Sequence, residues 1–447
     1  MQEKSKYQGW LLAGLYNGLQ KLSIPIFGVL STMILAHGAL TKPEMGVWTI
    51  FLTSTSFVEL IRQALVKTSL IKYVNHADGE EQRYVLAAAL FINSIVTILL
   101  IAAITICAGW LASVLNAEGL KPMLYIFAGG MVLLIPFSHF EWALYSKSEF
   151  KGLFWVYFFR QGFNLFMIVL YFLLYREVSL NVLVVFFNLG ILIGIIVAYL
   201  QVKKHLTRTF ILKKEWLSSL WHFGKYVFGS GVSTLVFSNA SQMMLSPILG
   251  STSFTASQGI ANRVINLSDI PSQVLSDILY PKSSKKENAA NRERIKFFYE
   301  KTVGVALSVN IPIVCFMIAF PKIIILILGG KDYLDAVPYL QCIAITGIFL
   351  TFLKYFGVII DSTGRPKVNF LTISFIALLH VAITYYCIKQ FGFIGAAYAA
   401  IVSNIIGFIV SQVILYRYFK INIINCFKYA FAFYPEIATM LRDKIKV

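Results

Sequence analysis

Charge is scarce in this chain. Asp, Glu, Lys and Arg make up 13% of its 447 residues, about half of what a soluble domain carries. The marks of catalysis are missing too. No G-x-x-x-x-G-K-[ST] occurs, because "FGKY" at 223–226 and "GGKDY" at 329–333 lack the upstream glycine. ATP hydrolysis within the chain is therefore not expected. "GSGVST" at 229–234 breaks the dinucleotide fingerprint and follows no strand. There is no H-E-x-x-H, and the six histidines are dispersed. His139 and His380 fall within helical runs, where a satisfied hydrogen bond is the expected role of each. The five cysteines (Cys107, Cys315, Cys342, Cys387, Cys426) form no C-x-x-C pair, so neither a disulfide framework nor a zinc site is indicated.

What the chain has instead is long apolar runs. Hydrophobic residues make up 58% of it, and runs of about 20 residues, the thickness of a bilayer core, recur along its length. They lie at about 10–36, 45–67, 84–107, 120–145, 152–175, 179–201, 219–247, 254–280, 297–320, 337–360, 368–388 and 394–416. The pattern predicts an all-α membrane protein of about twelve transmembrane helices. No cleavable signal peptide is expected, since the first run is too long and lacks a small-residue cleavage site. The outer loops are short, 109–119 and 321–336 being the longest, which leaves no room for a soluble catalytic domain.

Positive charge sets the orientation. With an even helix count the loops form two alternating sets. One collects most of the basic residues, including Lys4, Lys67, Lys72, Lys203, Lys204, Lys285, Arg292 and the C-terminal tail. The other holds only Lys42, Lys121, Arg176, Lys322, Lys331 and Lys389. Both termini are therefore expected on the cytoplasmic side. The net charge of +18 follows from this topology and requires no nucleic acid. The basic run "KSSKKENAANRERIK" at 282–296 reads as a solvated loop near anionic lipid.

The longest cytoplasmic connection divides the helices six and six. The expected organisation is an N-terminal lobe over 1–202, an amphipathic linker over 203–217, a C-terminal lobe over 218–419 and a cytoplasmic or interfacial tail over 420–447. Leu206, Phe210, Leu212, Trp216 and Leu217 among lysines suggest that the linker lies in the interface, and the tail reads the same way. The halves echo each other weakly: Gly38 and Gly46 correspond to Gly250 and Gly259, each pair flanking a short polar turn. Two such halves form a parallel repeat related by a pseudo-two-fold along the membrane normal.

Ionisable residues inside the spans carry the functional reading, since each costs at least about 2.5–3.5 kcal/mol at a helix centre. Lys21, Glu59, Arg160, Arg263 and Asp269 fall nearest the midplane. Arg62, about 24 Å into its helix at 1.5 Å per residue, is close enough to the inner interface to snorkel. Glu141, Lys225, Asp277 and Lys354 fall near the inner ends of their helices. In one reading Glu59 and Arg62 neutralise each other as an i,i+3 pair, and Asp269 pairs with Arg263 or a neighbouring helix. In the other, Lys21, Arg62, Arg160, Lys225, Arg263 and Lys354 line a wetted lumen and hold an anionic substrate, while Glu59 and Asp269 pair with them or carry a coupling ion, H+ or Na+. Positive charges outnumber negative ones here, so pairing does not silence them all. Asn17, Gln20, Asn164, Gln242, Asn262 and Asn266 suit a lumen that contacts sugars.

Several stretches resemble the polysaccharide transporters, or lipid-linked oligosaccharide and O-antigen flippases, of the multidrug/oligosaccharidyl-lipid/polysaccharide exporter superfamily. They are 216–284 with its "LYPKSS" exit, "ILGGKDYLDAVPYLQCIAI", "DSTGRPKVN" and "ALTKPEMGVWTI". The resemblance runs through all twelve helices in order. It implies two six-helix lobes that alternate between inward- and outward-open states. It further implies a cationic lumen and transfer of an undecaprenyl-pyrophosphate-linked oligosaccharide (O-antigen, capsule or exopolysaccharide) across the bacterial inner membrane, with membrane lipids and glycan polymerase machinery as partners. No cofactor beyond a coupling ion is implied. Lys21, Arg62 and Arg263 fall in helices where related flippases carry functional cations, Lys21 being a lysine where arginine is frequent. The rival readings are a drug/cation antiporter of the same superfamily, a peptidoglycan precursor flippase, a membrane-embedded glycan polymerase or ligase, and a scaffold without transport.

Overall fold

The computed structural model describes residues 2–74, 80–204, 211–284, 286–289 and 291–445. Its helices are α1 (Gln2–Ile34), α2 (Lys42–Arg62), α3 (Thr68–Val74), α4 (Glu81–Val114), α5 (Leu120–Ser146), α6 (Phe150–Tyr175) and α7 (Leu180–Val202), followed by α8 (Lys214–Leu249). Then come α9 (Ser253–Ser268), α10 (Ile270–Ser284), the short α11 (Lys286–Ala289), α12 (Arg292–Ala319), α13 (Pro321–Leu328), α14 (Ala336–Ser362), α15 (Pro366–Phe391), α16 (Phe393–Phe419) and α17 (Ile423–Ile445). No strand occurs among the described residues. All twelve predicted spans fall on helix, and nine helices among the described residues are long and apolar enough to cross a membrane. The three remaining spans are α2 with the turn that follows it, α8, and the broken pair α9–α10. These are the polar ones.

The chain folds into two compact units. One comprises Met1–Leu235, Leu245–Gly259 and Leu328–Gly330; the other comprises Val236–Met244, Ile260–Ile327 and Lys331–Val447. In the first, α1 packs on α6, and α5 packs on α4 and α7. The second has a core drawn from α12, α14, α16 and α17, including Tyr299, Leu307, Phe352, Phe356, Leu415 and Ala430. Among lipid tails such cores are held by close van der Waals packing rather than by escape from water.

Local signals explain where the polar helices start and bend. The amide of Thr41 donates to Glu44 Oε2 at 2.9 Å, and Pro43 occupies the first turn, so "TKPE" opens α2 as a capping box. α2 then continues through a π-helical turn, Gln63–Lys67, into α3. α8 ends at Gly250 in the left-handed region (φ +72°). Within the first unit Gly46 lies against the Thr252 carbonyl so closely that a Cβ would overlap it, and Thr252 Oγ1 donates to the Pro43 carbonyl at 2.8 Å. Glycine is required at position 46 for that approach. The α9–α10 break falls at Asp269, two residues before Pro271, whose missing N–H cannot continue the helix.

Of the linker, residues 205–210 lie outside the described residues, and α8 begins at Lys214. In the tail, α17 packs lengthwise on α12. Glu300 accepts from the Asn422 amide (2.7 Å) and from Asn425 Nδ2 (3.0 Å), and the Tyr434 hydroxyl donates to the Ser308 carbonyl at 2.6 Å. Both sequences advance together along these contacts, so the two helices run in the same direction.

Candidate functional site

Four helices of the first unit each turn a polar face inward. α2 presents Glu59 and Arg62 (i,i+3), and α4 presents Asn93 and Thr97 (i,i+4). α5 presents Ser138 and Glu141, and α6 presents Tyr157 and Arg160. Glu59, Arg62, Ser138, Glu141, Tyr157 and Arg160 line one small, partly open cleft.

Arg62 is 1% exposed. Its Nε donates to Thr97 Oγ1 at 2.9 Å, and its Nη2 donates to Asn93 Oδ1 (3.0 Å), the Leu134 carbonyl (2.7 Å) and Ser138 Oγ (3.0 Å). One guanidinium thus ties α2 to α4 and α5. Arg160 Nη2 meets Glu59 Oε1 at 3.2 Å, and its guanidinium lies 4.6 Å from the centre of the Phe137 ring. Glu141, 2% exposed, accepts from Lys67 Nζ at 3.2 Å and from the Tyr157 hydroxyl at 2.7 Å. Lys67 also sits 3.9 Å over the Tyr145 ring, and the Tyr145 hydroxyl exchanges hydrogen bonds with buried Gln20 on α1. Three cations (Arg62, Lys67, Arg160) against two carboxylates (Glu59, Glu141) leave this seam with one excess positive charge.

The second unit holds a smaller polar group. Asp269, at the α9–α10 break, pairs with Lys354 of α14 and accepts from Gln273 Nε2 at 3.1 Å. Beside it, Asn310 Nδ2 of α12 donates to Ser272 Oγ (3.1 Å) and Thr351 Oγ1 (2.7 Å), while the Tyr355 hydroxyl donates to the Ser272 carbonyl at 3.0 Å. Thr97 and Asn310, and likewise Ser138 and Thr351, are separated by the same interval of sequence as Gly46 and Gly259. The internal echo therefore extends to side-chain chemistry: each half has a polar knot between its second, third and fourth spans.

These positions sort the expected site residues. Glu59, Arg62 and Arg160 come together in the first unit, and Asp269 and Lys354 in the second. Lys21 is half-buried on α1 beside Gln20, and Arg263 is half-buried on α9. The side chains of Lys225 and Asp277 lie outside the described residues. Two expectations about α2 need correction. Glu59 pairs with Arg160 rather than with Arg62, because α6 brings a second guanidinium to it. Arg62 does not snorkel either, since acceptors on α4 and α5 replace water around its N–H groups. For Asp269 the partner is the one offered by a neighbouring helix, Lys354.

The sequence places Lys67 among the loop charges and Glu141 at a helix end, and singles out neither Tyr145 nor Tyr157. Lys67 lies five residues after Arg62, which in an α-helix is well past one turn. Only the π-turn brings it back to the α5 side, and nothing in "QALVK" announces such a turn.

A family model described as "Polysaccharide biosynthesis protein" matches residues 39–338. The teichuronic acid biosynthesis protein TuaB of Bacillus subtilis is 21% identical over 220 residues, covering 48% of this chain and 44% of TuaB. The chain matches somewhat under half the length of its curated relatives. Among solved structures, the inward-facing form of a multidrug resistance MATE family transporter of the MOP superfamily superposes with a TM-score of 0.77 at 13% identity, covering 90% of this chain and 99% of that one. The lipid II flippase MurJ in its inward closed conformation gives 0.73 at 15% identity, covering 93% and 90%. These likenesses establish the fold, twelve spans in two six-helix lobes.

Proposed function

Because the chain belongs to the polysaccharide biosynthesis protein family, we propose that it is a flippase that moves an oligosaccharide carried on undecaprenyl pyrophosphate across the bacterial inner membrane by alternating access. The observation that carries this reading is the seam of the first unit, where cations outnumber carboxylates inside a membrane-spanning bundle. A pyrophosphate does not cross hydrocarbon unaided. Fixed cations replace its hydration, while the lipid tail stays in the bilayer.

In this reading Lys21, Arg160 and Arg263 are the cations that serve the diphosphate in the course of transport. Glu59 occupies Arg160 in the absence of substrate, and the incoming diphosphate displaces it, so neither charge is left bare at any stage. Arg62 contributes positive potential, but its Nε and Nη2 donors are committed to protein acceptors. Lys354 adds positive charge within the second unit, and Glu59 and Asp269 are the groups that carry a coupling ion, H+ or Na+. Alternation requires inward and outward states within a few kcal/mol of each other, biased by substrate or ion.

The test is mass spectrometry of polyprenyl-linked glycans in cells lacking the protein, with inner- and outer-leaflet pools separated by periodate access. Build-up of one complete repeat unit on the inner face is expected. Complementation by the triple substitution Lys21→Ala, Arg160→Ala and Arg263→Ala is expected to fail at normal membrane levels. Normal flipping by that variant would reject the assignment of the cations. No build-up, together with new sensitivity to cationic dyes, would reject the flippase reading in favour of a drug antiporter.

A further inference from the structure

The π-turn Gln63–Lys67 joins α2 to α3 within one continuous helical path. Such a turn holds one residue more than α-geometry and is uncommon, with a frequent occurrence at functional sites. Helix distortions ordinarily trace to proline, glycine or an inserted group. "QALVK" contains neither proline nor glycine, whereas the break in the corresponding span of the second unit, at a different level, has Pro271 beside it. What flanks the π-turn is tertiary. Arg62, immediately before it, is fastened by four hydrogen bonds to α4 and α5, and Lys67, its last residue, is paired with Glu141. Inside the turn the Leu65 carbonyl rests against Gly224 of α8, where a Cβ would overlap it.

We infer that Arg62 is a positioning residue: by fastening α2 to α4 and α5 it holds the π-turn, and the extra residue of that turn rotates Lys67 onto Glu141 and Tyr145 at the edge of the seam. The consequence for transport rests on the flippase reading; the effect on the helix does not. Without the clamp the helix relaxes to regular α-geometry, and every residue beyond the turn shifts by one place, about 100° and 1.5 Å. Thr68 is exposed and Ser69 is fully buried, so the two positions report the register.

A merely stabilising arginine and a positioning one differ in how their loss is repaired. In a background with the five cysteines replaced by serine, Thr68→Cys and Ser69→Cys are labelled in membranes with a soluble maleimide, and lipid-linked glycan flipping is measured in parallel. With Arg62 present, position 68 is expected to label faster than position 69. Arg62→Gln moves position 68 into the buried place that position 69 held, and position 69 into that of Leu70, also buried, so position 68 loses its faster labelling and flipping is abolished. Deleting Ala64 from the Arg62→Gln chain removes the surplus residue and restores both, whereas deleting Ala64 alone impairs both. Arg62→Lys gives no rescue, because a single ammonium does not reproduce the fork that spans two helices. Should Arg62→Gln fail to reach the membrane, Thr97→Val with Ser138→Ala removes two acceptors and is expected to narrow the labelling difference.

Loss of flipping in Arg62→Gln with an unchanged labelling order would overturn the inference and make Arg62 a substrate ligand. A folded Arg62→Gln chain that the deletion does not repair would overturn it as well. A wild-type chain that flips no glycan, while the labelling behaves as described, would reject the flippase reading and leave the positioning role standing.

Discussion

The two halves solve one packing problem with different chemistry. In the first, the second, third and fourth spans meet around the Arg62 guanidinium. In the second, the corresponding spans meet around the Asn310 carboxamide, through Ser272 and Thr351. The neutral knot demonstrates that joining three such helices needs no buried charge. The guanidinium therefore serves something the amide does not: it supplies donors in several directions beside a π-turn, and it adds positive potential to a seam that already holds Arg160 and Lys67. Where the second half breaks its helix beside a proline, the first carries a π-turn flanked by tertiary contacts.

The sharpest way to break this comparison is to empty both knots. Arg62→Leu strips donors from Asn93, Thr97, Ser138 and the Leu134 carbonyl and leaves Glu59 and Glu141 less compensated, a loss of about 3–5 kcal/mol, as for one partner of a buried ionic group. Asn310→Leu leaves two hydroxyls to find other partners and is expected to cost about 1–3 kcal/mol. Thermal unfolding in detergent should show the larger drop in Tm for Arg62→Leu. Equal drops would mean that the guanidinium does no more than the amide.

Much of the fold was legible because membrane spans are a matter of length and apolarity, and all twelve predicted runs are helical. The polar helices were legible only in outline. Glu59, Arg62, Arg160, Asp269 and Lys354 stood out by their cost, yet their partners did not. Helical spacing suggested Glu59 with Arg62, while the nearer guanidinium in space is Arg160, 101 positions away in sequence. A helical wheel finds neighbours on one helix and says nothing of a residue brought in by another. The π-turn was wholly hidden, and with it the inward course of Lys67, because its cause lies in residues on α4 and α5.

A smaller effect separates the two ion pairs. Arg160 is 7% exposed at its side chain and Lys354 25%, so losing a carboxylate strands the first cation more completely. Glu59→Gln should lower stability more than Asp269→Asn, whose cost is reduced by solvent screening. If Glu59 occupies Arg160 in competition with substrate, Glu59→Gln should also lower the apparent KM for lipid-linked glycan, and Asp269→Asn should not. A KM unchanged by Glu59→Gln would separate the pair from substrate binding.

The repeated glycines give a finer contrast. A Cβ at Gly46 meets the backbone of Thr252, which has little freedom to yield, whereas a Cβ at Gly259 meets the side chain of Thr49 at 2.8 Å. Gly46→Ala is expected to cost about 1–3 kcal/mol, as other overpacked sites do, and Gly259→Ala less, because Thr49 has a rotamer to change. Tm measurements on the two single variants decide it. Comparable losses would mean that the Thr49 side chain is as fixed as the Thr252 backbone.

The least effect is expected where the second half has an element not shared by the repeat. α17 is fastened to α12 at three heights: by Glu300 at its start, by close approach at Gly304, and by the Tyr434 hydroxyl on the Ser308 carbonyl. Tyr434 itself is 49% exposed, so only its hydroxyl is committed. Tyr434→Phe removes one neutral hydrogen bond and keeps the ring, a change of about 0.5–1.5 kcal/mol that barely moves the global Tm. Its effect should be local, because the lower two fastenings remain. Amide exchange is expected to quicken in α17 beyond residue 430 and to stay unchanged near Asn425, whereas Glu300→Gln should reverse that pattern. Uniform quickening along α17 in both variants would mean that the helix detaches as one piece and that its fastenings act together rather than at separate heights.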